Sequence, residues 1–140
     1  MNEAELRQAM STLEIFRAQL ESINQNQQLV QLSLEELGRA KETLVQYQKA
    51  KEGDELLVPI GGGSFVFAKV ATNAKVIVGI GTGVSVERPL EEAIKTMDDR
   101  AAELMDTMKK LTDRRMVIEE QAGPLSQAIE QELQALQGGP

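Results

Sequence analysis

The sequence predicts an α+β chain: a long antiparallel α-helical coiled coil with two β-hairpins at one end that join an intersubunit β-barrel platform. Three observations lead to that class. Two heptad-patterned segments of nearly equal length, residues 1–52 and 89–140, enclose a stretch of Val, Ile and Phe runs broken by Gly clusters, residues 53–88. The helical stripes are of matched length, so the chain folds back and pairs them with each other. The strands between them are apolar on both sides, which two hairpins alone cannot bury.

In the N-terminal coiled-coil helix, residues 1–52, apolar positions recur at alternating steps of three and four: Leu6, Ala9, Leu13, Phe16, Leu20, Ile23, Gln27, Val30, Leu34, Leu37, Lys41, Leu44. A stripe sustained over several heptads marks a coiled-coil seam rather than one face of a globular helix. Gln27 interrupts it, and two readings stand: a buried polar residue that fixes register, or a side chain turned to water. The C-terminal helix, residues 89–140, carries the matching stripe Leu90, Ile94, Met97, Ala101, Leu104, Met108, Leu111, Arg115, Ile118, Ala122, Leu125, Ile129. Pro89 suits a first helical turn, and Glu91 and Glu92 favour the positive end of the helix dipole. Pairing the stripes places residue i level with about residue 140 − i of the same chain. Gly123-Pro124 predicts a kink level with about Phe16. Past it, Leu133 and Leu136 leave strict seam spacing, so the outer turns are expected to fray and Gly138-Gly139-Pro140 to be disordered.

Residues 53–88 form the expected double hairpin. Four strands are predicted, at 56–60, 65–70, 76–80 and 84–87. Gly61-Gly62-Gly63-Ser64 joins the first pair and Gly81-Thr82-Gly83 the second, both offering positive-φ residues to a tight turn. Thr72-Asn73 separates the hairpins. Pro59 marks an edge strand or the end of a strand. Alternation puts Val76, Val78 and Ile80 on one face with Ile77 on the other. It puts Phe65 and Phe67 on one face with Val66, Ala68 and Val70 opposite. The expected oligomerisation set is Leu57, Val58, Ile60, Phe65, Phe67, Val76, Val78, Ile80, Val84 and Val86.

Composition narrows the function classes. Aromatic residues make up 3% of the 140 residues, with one Tyr and no Trp, which argues against one ordinary globular core. There is no Cys and no His, so disulfides, thiol chemistry and the commonest general base and metal ligand are absent. No run of 18 apolar residues is present and the N-terminus lacks a signal core, so no membrane association is expected and a cytoplasmic location follows. The net charge of −7 is concentrated in residues 89–140, which hold 11 acidic and 6 basic side chains. Such a surface repels phosphate backbones, so nucleic acid is not an expected partner.

The run Glu55–Ile94, ELLVPIGGGSFVFAKV followed by KVIVGIGTGVSVERPLEEAI, resembles the α subunits of archaeal prefoldin. The resemblance extends over the whole chain, both helices included. The double hairpin is similar to α-type rather than single-hairpin β-type subunits. That resemblance implies an α2β4 hexamer in which a double β-barrel carries six coiled-coil arms. It further implies capture of non-native polypeptides at the arm tips without ATP, and transfer to a group II chaperonin.

The expected client-binding residues are Met1, Leu6, Met10 and Leu13 from the first helix and Leu125, Ile129, Leu133 and Leu136 from the second. Met10, Ile15 and Leu133 fall outside the seam, and Met suits promiscuous surfaces because its side chain is flexible and polarizable. Leu6, Leu13, Leu125 and Ile129 also read as plain seam residues. Off-seam Leu29, Leu32, Met116 and Val117 can line an inner client surface or touch neighbouring arms. No cofactor or metal is expected, and the chain does not read as an enzyme. Gly79–Gly83 runs into another strand rather than opening a helix, and Gly61–Ser64 lacks the Lys-Ser/Thr of a phosphate loop. Asp98-Asp99 and Glu119-Glu120 are adjacent on a helix and face solvent rather than each other. Asn24–Gln28 reads as polar helix surface. The alternative function is a structural tether or adaptor docking one specific folded partner.

Overall fold

The computed structural model describes residues Met1–Gly138. In chain order they form α1 (Glu3–Gln48), β1 (Glu55–Gly61), β2 (Ser64–Lys69), β3 (Lys75–Gly81), β4 (Val84–Pro89) and α2 (Leu90–Gln137). The chain divides into two compact units. A terminal unit holds Met1–Ser33 and the chain from Leu104 onward, and a hairpin unit holds Leu34–Glu103.

The helix ends have local causes. At the start of α1, Asn2 Oδ1 accepts from the Glu5 amide at 2.8 Å while the Glu5 carboxylate accepts from the Asn2 amide at 3.4 Å, a reciprocal capping box. α1 ends at Gln48, four residues short of the expected boundary. The Lys49 and Ala50 amides bond three residues back, at 3.1 Å each, and Gly53 adopts a φ of 87°, which favours glycine. The side-chain amide of Asn73 donates to the carbonyls of Gln48 and Ala50, which the helix end would otherwise leave unpaired. α2 opens at Leu90, because Pro89 closes β4 opposite Lys75 instead of starting the helix. A missing N–H is as harmless at the end of a ladder as in a first helical turn. The Leu90 amide donates to the Ala74 carbonyl at 3.0 Å. α2 continues through Pro124 to Gln137, so the proline removes one hydrogen bond without ending the helix. Of the three residues expected to be disordered, Gly139 and Pro140 lie outside the described residues.

In the terminal unit the two stripes meet antiparallel. Ala9, Leu13, Ala122 and Ile129 form one buried cluster, with Leu6, Phe16 and Leu125 packed against it. Ile23, Leu111 and Ile118 form a second, with Phe16, Leu20 and Val30 against it. Ile23 is 2% exposed, so Ile23→Ala is expected to destabilise this unit by about 2–4 kcal/mol. An unchanged thermal midpoint by circular dichroism would contradict that packing. The polar exceptions of the two stripes find each other. Gln27 Oε1 accepts from Arg115 Nη1 at 2.9 Å, and Gln27 Nε2 donates to Thr112 Oγ1 at 3.1 Å. Gln27 is therefore not simply turned to water: it is half-buried and bonds across the helix pair.

In the hairpin unit, Lys41 pairs with Asp98 at 2.7 Å, so this polar seam position also has a partner on the other helix. The hairpins are separate two-stranded antiparallel sheets, β1 with β2 and β3 with β4. In the first, Leu57 lies opposite Phe67 and Val58 opposite Val66, with a bulge after Pro59. In the second, Val78 lies opposite Val86 and Ile77 opposite Glu87, with a bulge after Gly79. Gly62 and Gly63 both take positive φ, 60° and 74°, as a primed hairpin turn requires, whereas the second turn needs it only at Gly83. Hydrogen bonds tie the second hairpin, and the link between the two, to the helices. Tyr47 Oη donates to the Thr72 carbonyl at 2.9 Å, and Arg100 Nη2 donates to the Gly79 carbonyl at 2.6 Å. Leu90, Val70 and Val78 are buried, and Ala93 is wholly enclosed.

Candidate functional site

Two exposed apolar surfaces stand out, one in each unit. In the terminal unit an open groove of about 760 Å³ runs between α1 and α2. It arises because Met10 and Leu133 each follow a seam position by one residue, which turns them to the same edge of the helix pair. Met10 is 44% exposed and Leu133 37%, while the groove also reaches Leu13 and Ile129, both under 10% exposed. Arg7, Arg17, Glu14 and Glu130 also line it, so an apolar strip is bordered by both signs of charge.

The eight residues expected to grip a client therefore separate into two kinds. Leu13 and Ile129 are core, and Leu6 and Leu125 pack half-buried against them. All four take part in the packing of the seam, and Leu13 and Ile129 also form the floor of the groove. Met1, Met10, Leu133 and Leu136 are exposed. A step of three from Ile129 lands on Glu132, and its carboxylate pairs with the Met1 ammonium. That hydrogen bond, and the carboxylate charge with it, hold the amino group's pKa above its usual value. The pair ties Met1, just before α1, to the last turns of α2. Ile15, Leu29, Leu32, Met105, Met116 and Val117 are exposed as well, so apolar surface in this unit is not confined to the groove.

The second surface is on the hairpins. Leu57, Phe65 and Phe67 share one face of β1–β2, and Phe67 is 86% exposed. On the opposite face Leu56 and Ala68 are half-buried, while Val58 and Val66 nearer the turn stay open. In the other hairpin the two faces are unequal. Val78 is buried and Val76 and Val86 are half-buried, so these three of the expected oligomerisation residues are already largely covered within their own chain. Ile77, on the reverse face, is 72% exposed. Ile80 and Val84 flank the bulge and turn, and both are about half exposed. Ile60 is also exposed. Ile77 and Val66 are the exposed strand residues that alternation alone did not select.

Among the described residues no group of three acidic, His or Cys side chains is placed to hold a metal ion. Among the same residues no helix is long and apolar enough to cross a membrane.

Comparison with known proteins agrees with this architecture. The family model described as Prefoldin subunit matches residues 16–137. The prefoldin subunit alpha of Pyrococcus horikoshii is 32% identical over 131 residues, covering 93% of this chain and 88% of that protein. That of Methanothrix thermoacetophila is 37% identical over 109 residues, covering 78% and 71%. That of Archaeoglobus fulgidus is 30% identical over 136 residues, covering 97% and 96%. Among solved structures, a chain of filamentous PFD from Methanocaldococcus jannaschii, determined by cryo-EM, superposes with a TM-score of 0.60 at 28% identity. It spans 91% of this chain and 97% of its own. Two long heptad helices joined by a double hairpin, matched end to end in this way, place the chain in the prefoldin family among the archaeal α subunits, as a chaperone subunit of an oligomer and not an enzyme.

Proposed function

We propose that this chain is the α subunit of an ATP-independent holdase in the cytoplasm. In this reading the hairpins join β-type subunits in an α2β4 hexamer. The terminal coils hold non-native polypeptides and release them to a group II chaperonin. The observation that carries the reading is the terminal groove, where Met10 and Leu133 stand exposed beside a packed seam. A chain that leaves flexible and branched apolar side chains open on a rigid helix pair is suited to clients of varied shape. Each such side chain contributes on the order of 1–2 kcal/mol when a client covers it. One coil then binds weakly, and several coils on one hub hold a client by effective concentration. Weak individual contacts also let a client leave without nucleotide hydrolysis.

The test is suppression of aggregation. The chain assembled with β-type subunits is expected to reduce light scattering of several unrelated unfolding proteins, to the same extent with and without ATP. Protection of one client alone favours a dedicated adaptor, and a requirement for ATP contradicts the proposed mechanism.

A further inference from the structure

Part of the apolar seam of the terminal unit repeats itself from heptad to heptad. Leu6, Leu13 and Leu20 follow one another at seven-residue intervals on α1, and Leu111, Ile118 and Leu125 do so on α2. At these positions sliding one helix by a heptad replaces one leucine or isoleucine by another, whereas at Ala9, Phe16, Ile23, Ala122 and Ile129 it exchanges side chains of different size, so aliphatic packing resists a slip only in part. The layer made by Gln27, Thr112 and Arg115 is different. Its amide and guanidinium are half-buried, and they bond each other only when these positions are level, while Arg115 also keeps Glu119 of its own helix at 3.7 Å. In a slipped pairing Gln27 and Arg115 would each face aliphatic side chains and lose those hydrogen bonds, which costs more than exchanging one leucine for another.

We infer that the Gln27–Arg115 layer is a register lock for the terminal coil, held at a cost in stability. A polar pair in a seam is generally no more stabilising than well-packed aliphatic residues, and its best-attested use is to select one pairing among many. The lock fixes which edge residues meet. A slip of one heptad would carry Leu133 away from Met10 and break the groove that both line. This consequence rests on the proposed role of the groove, but the lock itself does not.

The chain has no native cysteine, so disulfide mapping reads the register directly. Leu20→Cys is combined in turn with Leu111→Cys, Ile118→Cys or Leu125→Cys, three partners one heptad apart, in the full chain under mild oxidation. With the native layer, only the 20–118 pair is expected to close. In Gln27→Leu/Arg115→Leu, the 20–111 or 20–125 pair is expected to rise about tenfold, the scale of one lost hydrogen-bond penalty, while the thermal midpoint rises. The exchange Gln27→Arg/Arg115→Gln keeps both groups and is expected to restore a single register. A single register in the double-leucine variant would mean that the remaining packing, the Lys41–Asp98 pair and the chain connection set the pairing without this layer, and the lock would be refuted. A lower midpoint in that variant, or slippage in the exchanged one, would refute it equally. None of these readouts depends on a client, so they stand apart from the holdase assay.

Discussion

A chain carrying Met10→Asp and Leu133→Asp is expected to lose most of its protection of unfolding clients while keeping its helix content and the size of its assembly. Both side chains are substantially exposed, so neither carboxylate is buried in the free protein. The groove, by contrast, loses two apolar contacts and gains two charges that a client's apolar segment would have to desolvate. At about 1–2 kcal/mol per side chain, affinity per coil should fall by roughly tenfold or more, and avidity multiplies that loss across the hub. Light scattering of an aggregating client, with sizing of the complex alongside, reads both halves of the prediction. Undiminished protection would remove this groove from the account. Leu13→Asp is a poor substitute for the same purpose, because it would bury a carboxylate among Ala9, Ala122 and Ile129 and unfold the coil first. Cutting away residues 1–10 has the same weakness, since Leu6 and Ala9 belong to that core.

The second large effect is expected at the hairpins. Phe67→Asp with Ile77→Asp should prevent assembly with β-type subunits and leave the two helices paired. These side chains are 86% and 72% exposed, an unusual state for Phe and Ile, and each sits on a two-stranded sheet with open edges. Native mass spectrometry should find the variant chain unassembled with its circular dichroism near that of the native chain. A complex of normal mass would show that the faces bearing Phe67 and Ile77 lie outside the hub. Val78→Asp is expected to behave differently. Val78 is 4% exposed within its own chain, so its carboxylate would disrupt the β3–β4 hairpin before any partner was met.

The contrast between Ile77 and Val78 shows what a sequence can and cannot specify. Period-two alternation assigns them to opposite faces, and both faces are apolar. Which face the chain's own helices cover depends on tertiary ties such as the Arg100 guanidinium on the Gly79 carbonyl, between residues 21 positions apart with no local pattern to announce them. The same limit appears in the terminal coil. Steps of three and four identify the seam, so Leu13 and Ile129 were legible as packing residues and Met10 and Leu133 as exceptions. Accessibility divides them further, into buried Leu13 and Ile129 and exposed Met10 and Leu133, which the pattern alone does not rank. Gln27 and Arg115 were each visible as polar breaks in a stripe. Pairing i with about 140 − i sets them nearly level, but a spacing rule does not specify which side chains bond. Pro89 and Pro124 were read from ring sterics alone. One closes a strand beside the helix it was expected to open, and the other sits within a helix that continues to Gln137, because packing along the seam outweighs a single lost hydrogen bond.

The central claim is a division of labour: apolar side chains in the terminal unit meet clients, and those on the hairpins meet other subunits. Site-specific photo-crosslinking tests it in one experiment, with a photoreactive residue placed at Met10 or at Phe67 in the assembled complex and an unfolding client present. The account predicts client adducts from position 10 and subunit adducts from position 67. Client adducts from position 67 with none from position 10 would contradict it.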